Sequence, residues 1–348
     1  MTNIISFPNL GGIELHLNPV ALSFGNLHIY WYGIIIVTGI IFAFFYTLQR
    51  AKQEQIQSDH IYDLAIFVIL FGILGARLFY VAATWKQYSY RSFYDIIAVW
   101  NGGLAIYGGI IAGALVVVIF SLIKKIRILS LCDALAPAVM AAQAIGRWGN
   151  FVNAEAYGSL DSFEFFGKVF STPWAKNIPF KMTISKMSES GILENIGSFH
   201  PTFLYESVWN LIGFLLIHFT YKKKKYHGQV LLMYLTWYGF GRMFIEGLRT
   251  DSLPAGNLRI SQLLAFICFV VGSILLIAFA ICYRKSSPIL VGNSGCAAEP
   301  SPLDSQSTAN APAATDSTPE KENDNHNPQD TDDKQTINEE DHSHGTDH

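Results

Sequence analysis

Leu104-Ala-Ile-Tyr-Gly-Gly-Ile-Ile-Ala-Gly-Ala-Leu-Val-Val-Val-Ile-Phe-Ser-Leu-Ile123 is a run of twenty residues without a single charge. As an α-helix it would rise about 30 Å, which matches the hydrocarbon thickness of a bilayer. Six further stretches read the same way: residues 29–48, 61–82, 131–151, 203–221, 229–248 and 260–283. Two of these carry polar interruptions. The strands of a membrane barrel would be shorter and would alternate apolar with polar positions; these stretches are continuous. The fold class is therefore all-α: a polytopic membrane protein with a bundle of about seven transmembrane helices.

The chain-wide averages conceal this. Of 348 residues, 51% are hydrophobic and only 15% charged, below the quarter or so usual in soluble domains, yet the formal net charge is a modest −3. Residues 286–348 hold 13 Asp and Glu against 2 Lys, whereas residues 1–285 carry a net charge of +8. The body is apolar and basic. The tail is rich in Ser, Thr, Pro, Asn and Asp, cannot bury enough apolar surface to order itself, and reads as a disordered acidic appendage.

The cations orient the bundle. Eleven of them (Arg50, Lys52, Lys124, Lys125, Arg127, Lys222 to Lys225, Arg284 and Lys285) fall at span ends on one side, and the first 28 residues contain no Lys or Arg. An excess of cations in short loops marks the cytoplasm, so the N-terminus is expected outside and the tail inside. The leading segment also lacks the basic n-region of a cleavable leader. Residues 1–28 are then an extracytoplasmic N-terminal segment, 29–285 the seven-helix domain, 157–200 an extracytoplasmic head or lid, and 286–348 a cytoplasmic tail. Ser58-Asp59 is expected to open the second span, and Ser130-x-x-Asp133 reads as a capping box for the fourth.

Ionisable residues inside spans are costly and are functional candidates by default. Arg77 lies late in the second span. Arg147, Asn150 and Asn153 lie late in the fourth, with Glu155 just beyond, and Glu206 opens the fifth. Tyr238, Arg242, Glu246 and Arg249 share one face of the sixth. With the spans alternating in direction, all of these converge on the outer half of the membrane. Arginines stay charged at any working pH and grip phosphate through paired hydrogen bonds, so the cluster points to an anionic phospholipid headgroup. Glu155, Glu206 and Glu246 can orient the arginines, or one of them can accept a proton. Plainer readings stand beside these. Arg242 and Glu246 at i,i+4 also form a simple structural pair, Arg77 can snorkel to the interface, and Tyr30-Trp31-Tyr32 fits an aromatic belt. The glycines of residues 102–109 suit close helix packing.

The run Gly146-Arg147-Trp148-Gly149-Asn150-Phe151-Val152-Asn153-Ala154-Glu155-Ala156-Tyr157-Gly158 resembles the signature of the prolipoprotein diacylglyceryl transferase family. Trp31-Tyr32-Gly33, the double-glycine segment 102–109, His200-Pro201 with Tyr205-Glu206, and Gly241-Arg242 through Glu246 to Arg249 follow in the family's order. The acidic tail lies outside that pattern. The resemblance implies transfer of the diacylglyceryl group of phosphatidylglycerol to the lipobox cysteine of a preprolipoprotein, forming a thioether and releasing glycerol 1-phosphate. It implies a bacterial cytoplasmic (inner) membrane location with the active site facing the outer leaflet, and a product passed on to lipoprotein signal peptidase. Arg147 and Arg242 would bind the phosphate. Tyr32, Asn150, Glu155, Gly158, Glu206, Tyr238, Glu246 and Arg249 would complete the lipid site or its surroundings.

One position departs from the family. Tyr107 stands where many members carry a histidine taken as the base for the thiol. A phenol titrates near pH 10, so either Tyr107 donates a hydrogen bond or acts as a tuned phenolate, or Glu206 takes the proton, or the arginines acidify the thiol directly. No metal or other cofactor and no nucleic acid is called for. The competing function is a transporter or channel for anionic phosphate-containing solutes, which would place polar residues through the whole membrane depth.

Overall fold

The computed structural model describes residues 2–25, 27–86, 92–187, 193–251, 254–255 and 258–289. The acidic tail beyond residue 289, with Cys296 and the histidines near the C-terminus, lies outside the described residues. Among the described residues eight α-helices run in the order α1 (Trp31–Gln53), α2 (Ser58–Thr84), α3 (Phe93–Ile97), α4 (Ile106–Ile123), α5 (Ile128–Asn153), α6 (Thr202–Thr220), α7 (Gln229–Leu248) and α8 (Ile260–Cys282). Six are long and apolar enough to cross a membrane by length and composition. The seventh long helix, α7, has 20 residues but carries Arg242 and Glu246, which lower its hydropathy. The chain is a polytopic membrane protein.

Neighbours in the bundle are α1 with α5, α2 with α4, α5 with α6, α6 with α7, and α7 with α8. Small residues set the closest approaches, since lipid tails are as apolar as leucine and supply no hydrophobic drive between helices. Gly75 of α2 and Gly108 of α4 lie backbone to backbone, with no room for a Cβ on either. The α6–α7 contact is a reciprocal clasp. Trp209 and Trp237 stack at 4.3 Å, and each indole N–H donates to the other's carbonyl at 2.9 Å. Gly241 and Gly213 leave the space that the two rings occupy.

The head is a β structure. Strands β1 (Thr2–Phe7), β2 (Ile13–Leu17), β3 (Val20–Phe24) and β4 (Leu27–Tyr30) precede the first helix. Strands β5 (Gly158–Ser159), β6 (Ser162–Phe165), β7 (Lys168–Ser171), β8 (Met182–Met187) and β9 (Leu193–His200) lie between α5 and α6. They form one five-stranded antiparallel sheet, β2-β1-β8-β9-β5, and two hairpins, β3-β4 and β6-β7. The N-terminal segment and the 157–200 segment, separate in the sequence reading, are therefore one sheet, with Ile5 opposite Ile184. Both are fully buried with Met182, Ala154 and Phe203, so the sheet sits on the end of α5 and the start of α6.

Two helix starts differ from expectation. Helix α2 begins at Ser58, but its N-cap is Gln57 and no side chain caps it. Helix α5 begins at Ile128, two residues before the expected capping box. Asp133 is instead buried inside α5 and caps α7, accepting from the backbone N–H of Gly228 at 2.8 Å and of Leu231 at 2.9 Å. A carboxylate on those free N–H groups also answers the positive end of the helix dipole. Lys224 Nζ completes its shell at 2.9 Å.

Candidate active site at one end of the bundle

Because consecutive spans alternate in direction, the C-terminal turns of α2, α5 and α7 meet the N-terminal turns of α1, α4, α6 and α8. Side-chain contacts establish this junction. Glu206 on α6 accepts from Arg147 of α5 at 2.5 Å through one oxygen and from Arg242 of α7 at 2.6 Å through the other. Arg242 also pairs with Glu246, one turn on, at 2.6 Å. The pairing of Arg242 with Glu246 allowed by sequence is thus real but is half of a bridge across three helices.

Exposure sorts these groups into two depths. The side chains of Glu206 and Glu246 are 2% exposed, whereas Arg147 retains 19% and Arg242 13%. The carboxylates sit behind, and the guanidiniums form the accessible edge. Each guanidinium has five N–H donors, and the one or two carboxylate oxygens it meets do not use them up.

The signature segment shapes one flank. Arg147 donates to Asn150 Oδ1 at 3.3 Å, and the Asn150 amide donates to Glu155 at 3.0 Å. Glu155 also accepts from Asn153 at 3.5 Å and is exposed. It is presented by a turn in which Ala154 and Ala156 both adopt left-handed backbone, φ 49° and 57°. Such conformations cost an alanine about 1 kcal/mol each, and strain of this kind concentrates at functional sites. Tyr32 of α1 packs its ring against Gly149, where a Cβ would come within 2.6 Å of it. Tyr238 stacks on Tyr234 one turn before Arg242, with ring centroids 5.7 Å apart. Gly158 pairs across an isolated bridge with Arg249, hemmed by Thr202, His200 and the Leu248 carbonyl. Arg249 itself makes a two-pronged pair with Asp251 at 2.8 and 3.0 Å.

Tyr107 is placed differently. Its hydroxyl shares a 2.5 Å hydrogen bond with Ser261 at the start of α8, and none of its described hydrogen bonds reaches Arg147, Arg242 or Glu206. Arg77 is a loop clamp: its guanidinium donates to the carbonyls of Asp95, Ile96, Gly102 and Gly103 at 2.5–3.2 Å. Gly102 and Gly103 need φ near +75° to turn those carbonyls inward. His200 is buried against Tyr205, and burial holds its imidazole below the usual histidine range.

Arg259 escaped the sequence reading as a site neighbour. It donates to Glu164 at 2.7 Å and to the carbonyls of Glu246 and Arg249 at 2.6 Å, tying the β6–β7 hairpin to the end of α7. Gln262 joins it, bonded to Phe166, Glu164 and Met243. In the sequence Arg259 falls in a short polar stretch between two apolar runs, where a cation looks ordinary. Only the fold places it.

The model of the family described as prolipoprotein diacylglyceryl transferase matches residues 19–278. A phosphatidylglycerol–prolipoprotein diacylglyceryl transferase of Streptococcus uberis is 39% identical over 275 residues, covering 78% of this chain and 98% of its own. The protein of the same name in Listeria welshimeri is 41% identical over 254 residues, covering 73% and 87%. That of Lactobacillus delbrueckii subsp. bulgaricus is 41% identical over 269 residues, covering 76% and 92%.

Proposed function

This chain belongs to the prolipoprotein diacylglyceryl transferase family, and on that premise we propose that the Arg147–Glu206–Arg242 bridge is where it performs its chemistry. The chain is a transferase that moves the diacylglyceryl group of phosphatidylglycerol to a prolipoprotein. The acceptor is the thiol of the lipobox cysteine in the signal peptide. Its sulfur attacks the glycerol carbon that bears the phosphate, a C–S bond forms, and the C–O bond breaks. The electron pair leaves on the phosphate oxygen as glycerol 1-phosphate. Charge grows on that phosphate in the transition state, and cations already fixed in place stabilise it without reorganising.

The observation that carries this reading is the depth sorting of the bridge. Two guanidiniums stand on the accessible edge, and the carboxylates that aim them are buried behind. Glu206 positions Arg147 and Arg242. Both of its oxygens are engaged by the two guanidiniums, so it aims them rather than serving as the base for the thiol. The thiol loses its proton in the field of the arginines, which favours thiolate, and the departing glycerol 1-phosphate takes that proton up. Asn150, Glu155, Tyr32, Tyr238, Glu246, Gly158 and Arg249 shape the lipid site around that centre.

The positive-inside pattern supports an inner-membrane orientation with the N-terminus outside, the C-terminus cytoplasmic and this site in the outer leaflet. The product, a lipidated precursor, is then the substrate of lipoprotein signal peptidase. A carrier of phosphate-containing solutes finds no support in the relatives' names, and in the fold this arginine bridge stays at one end of the bundle.

Mass spectrometry of a lipobox peptide incubated with purified protein and phosphatidylglycerol tests the assignment. Wild type should add one diacylglyceryl group. Arg147→Lys should insert and melt normally yet add none, because an ammonium cannot hold Glu206 and phosphate in the same fork. Unimpaired transfer by Arg147→Lys would remove Arg147 from the phosphate site.

A further inference from the structure

At the opposite end of the bundle, about 27 Å along α1 from Tyr32, lies a cleft of about 310 Å³ lined by Gln49, Arg50, Gln53, His218, Phe219 and Lys222. Arg50 is 4% exposed. Its partners are all neutral: the Tyr46 hydroxyl at 2.6 and 2.9 Å, His218 Nδ1 at 2.9 Å, Gln53 Oε1 at 2.9 Å and the His218 carbonyl at 3.4 Å. Among the described residues no carboxylate lies within ion-pair distance of it. Buried charges in proteins are normally paired, and this one borders a cavity that an anion can enter. Lys222, exposed on the cleft wall, adds a second cation.

The surroundings specify the anion's carrier. Phe42, Phe45 and Gln49 lie on one stripe of α1, and Leu211, Leu215 and Phe219 on one stripe of α6, with Lys222 two residues past its end. The apolar members are exposed, Phe219 by 73%. Phe42 and Tyr46 of α1 pack against Phe214 of α6, so exposed apolar side chains of both helices flank the approach to the cationic cleft. A soluble phosphate would use the cations and ignore these side chains. A phospholipid uses both.

We propose that this cleft binds the phosphate of an anionic phospholipid in the leaflet opposite the reaction site, its acyl chains lying along the exposed apolar side chains of α1 and α6 and its headgroup neutralising Arg50. The site is separate from the transferase chemistry and does not depend on that assignment.

The test uses the full chain in detergent with a photo-crosslinkable phosphatidic acid, and maps the labelled peptides by mass spectrometry. Label is expected in residues 42–53 and 211–222. Lys222→Gln should weaken labelling there about fivefold, the effect of one interfacial cation, with diacylglyceryl transfer unchanged. Arg50→Gln should abolish it; should that variant misfold, Lys222→Gln decides alone. Equal labelling by photo-crosslinkable phosphatidylcholine, or labelling indifferent to Lys222→Gln, would overturn the site. Complete displacement of the lipid by millimolar glycerol phosphate would overturn its assignment to a phospholipid.

Discussion

Arg147 and Arg242 are held on opposite oxygens of one carboxylate, Glu206, at 2.5 and 2.6 Å. The three groups come from three helices, so the bridge is at once a structural weld and the aiming device for two cations. Replacing Glu206 by Gln keeps the shape but removes the charge. Breaking a buried pair from one side costs about 3–5 kcal/mol, and misaimed donors cost about 10²–10³ in rate. Glu206→Gln should therefore melt markedly lower in detergent and lose transfer by about that factor. A variant that lost transfer but kept its melting point would mean that Glu206 has no role in the weld.

Tyr107 tests the alternative base. Its hydroxyl is committed to Ser261, and one neutral hydrogen bond is worth about 1 kcal/mol. Tyr107→Phe should cost about that much stability and leave the lipidation rate within about threefold of wild type. A loss of a hundredfold or more would restore Tyr107 as the base.

The tryptophan clasp sets the α6–α7 distance on which the bridge depends. A Cβ at Gly241 would sit inside the indole of Trp209, and overpacking of this kind costs about 1–3 kcal/mol. Gly241→Ala should lower both the melting temperature and transfer. Pairing it with Trp209→Phe should recover part of the stability, measured by thermal melts of both variants.

Asp133 holds the far end. It caps α7 and pairs with Lys224, which also reaches Glu54 at 2.5 Å. Asp133→Ala would strip a cap worth about 1 kcal/mol and leave a buried ammonium with half its partners. A loss of several kcal/mol is expected in a denaturant titration, with Asp133→Asn intermediate. A loss under about 1 kcal/mol would contradict the capping role.

His200 predicts a pH effect. Burial lowers its folded pKa, so below the unfolded value near 6.5 the unfolded chain binds more protons than the folded one. Stability from this group is present above that pH and is lost as pH falls through the folded pKa. Melting temperatures measured from pH 7 down to pH 5 should fall, and His200→Gln should fall less steeply. Parallel slopes would exclude His200 as the source.

The membrane spans and the crowding of Arg147, Glu206 and Arg242 toward one end were legible in the sequence. Hydropathy and helix direction are local properties that twenty consecutive residues express by themselves. Alternating spans then bring those ends together with no knowledge of packing. What the chain order could not express was pairing at long range. Strand β1 meets β8 about 180 residues away, and its short alternating pattern beside a loop carries no record of its partner. Asp133 read as a cap for its own helix because the capping pattern is local, whereas the N–H groups it satisfies belong to α7. Arg77 reads in the sequence as a charge late in a span and Arg259 as an ordinary cation between spans, and only the carbonyls facing them make both into clamps. Sequence by itself determined the bundle and the end where its charges gather. Tertiary structure decided which cation each carboxylate holds and which guanidiniums stay open, because those outcomes depend on distances between helices that no single helix encodes.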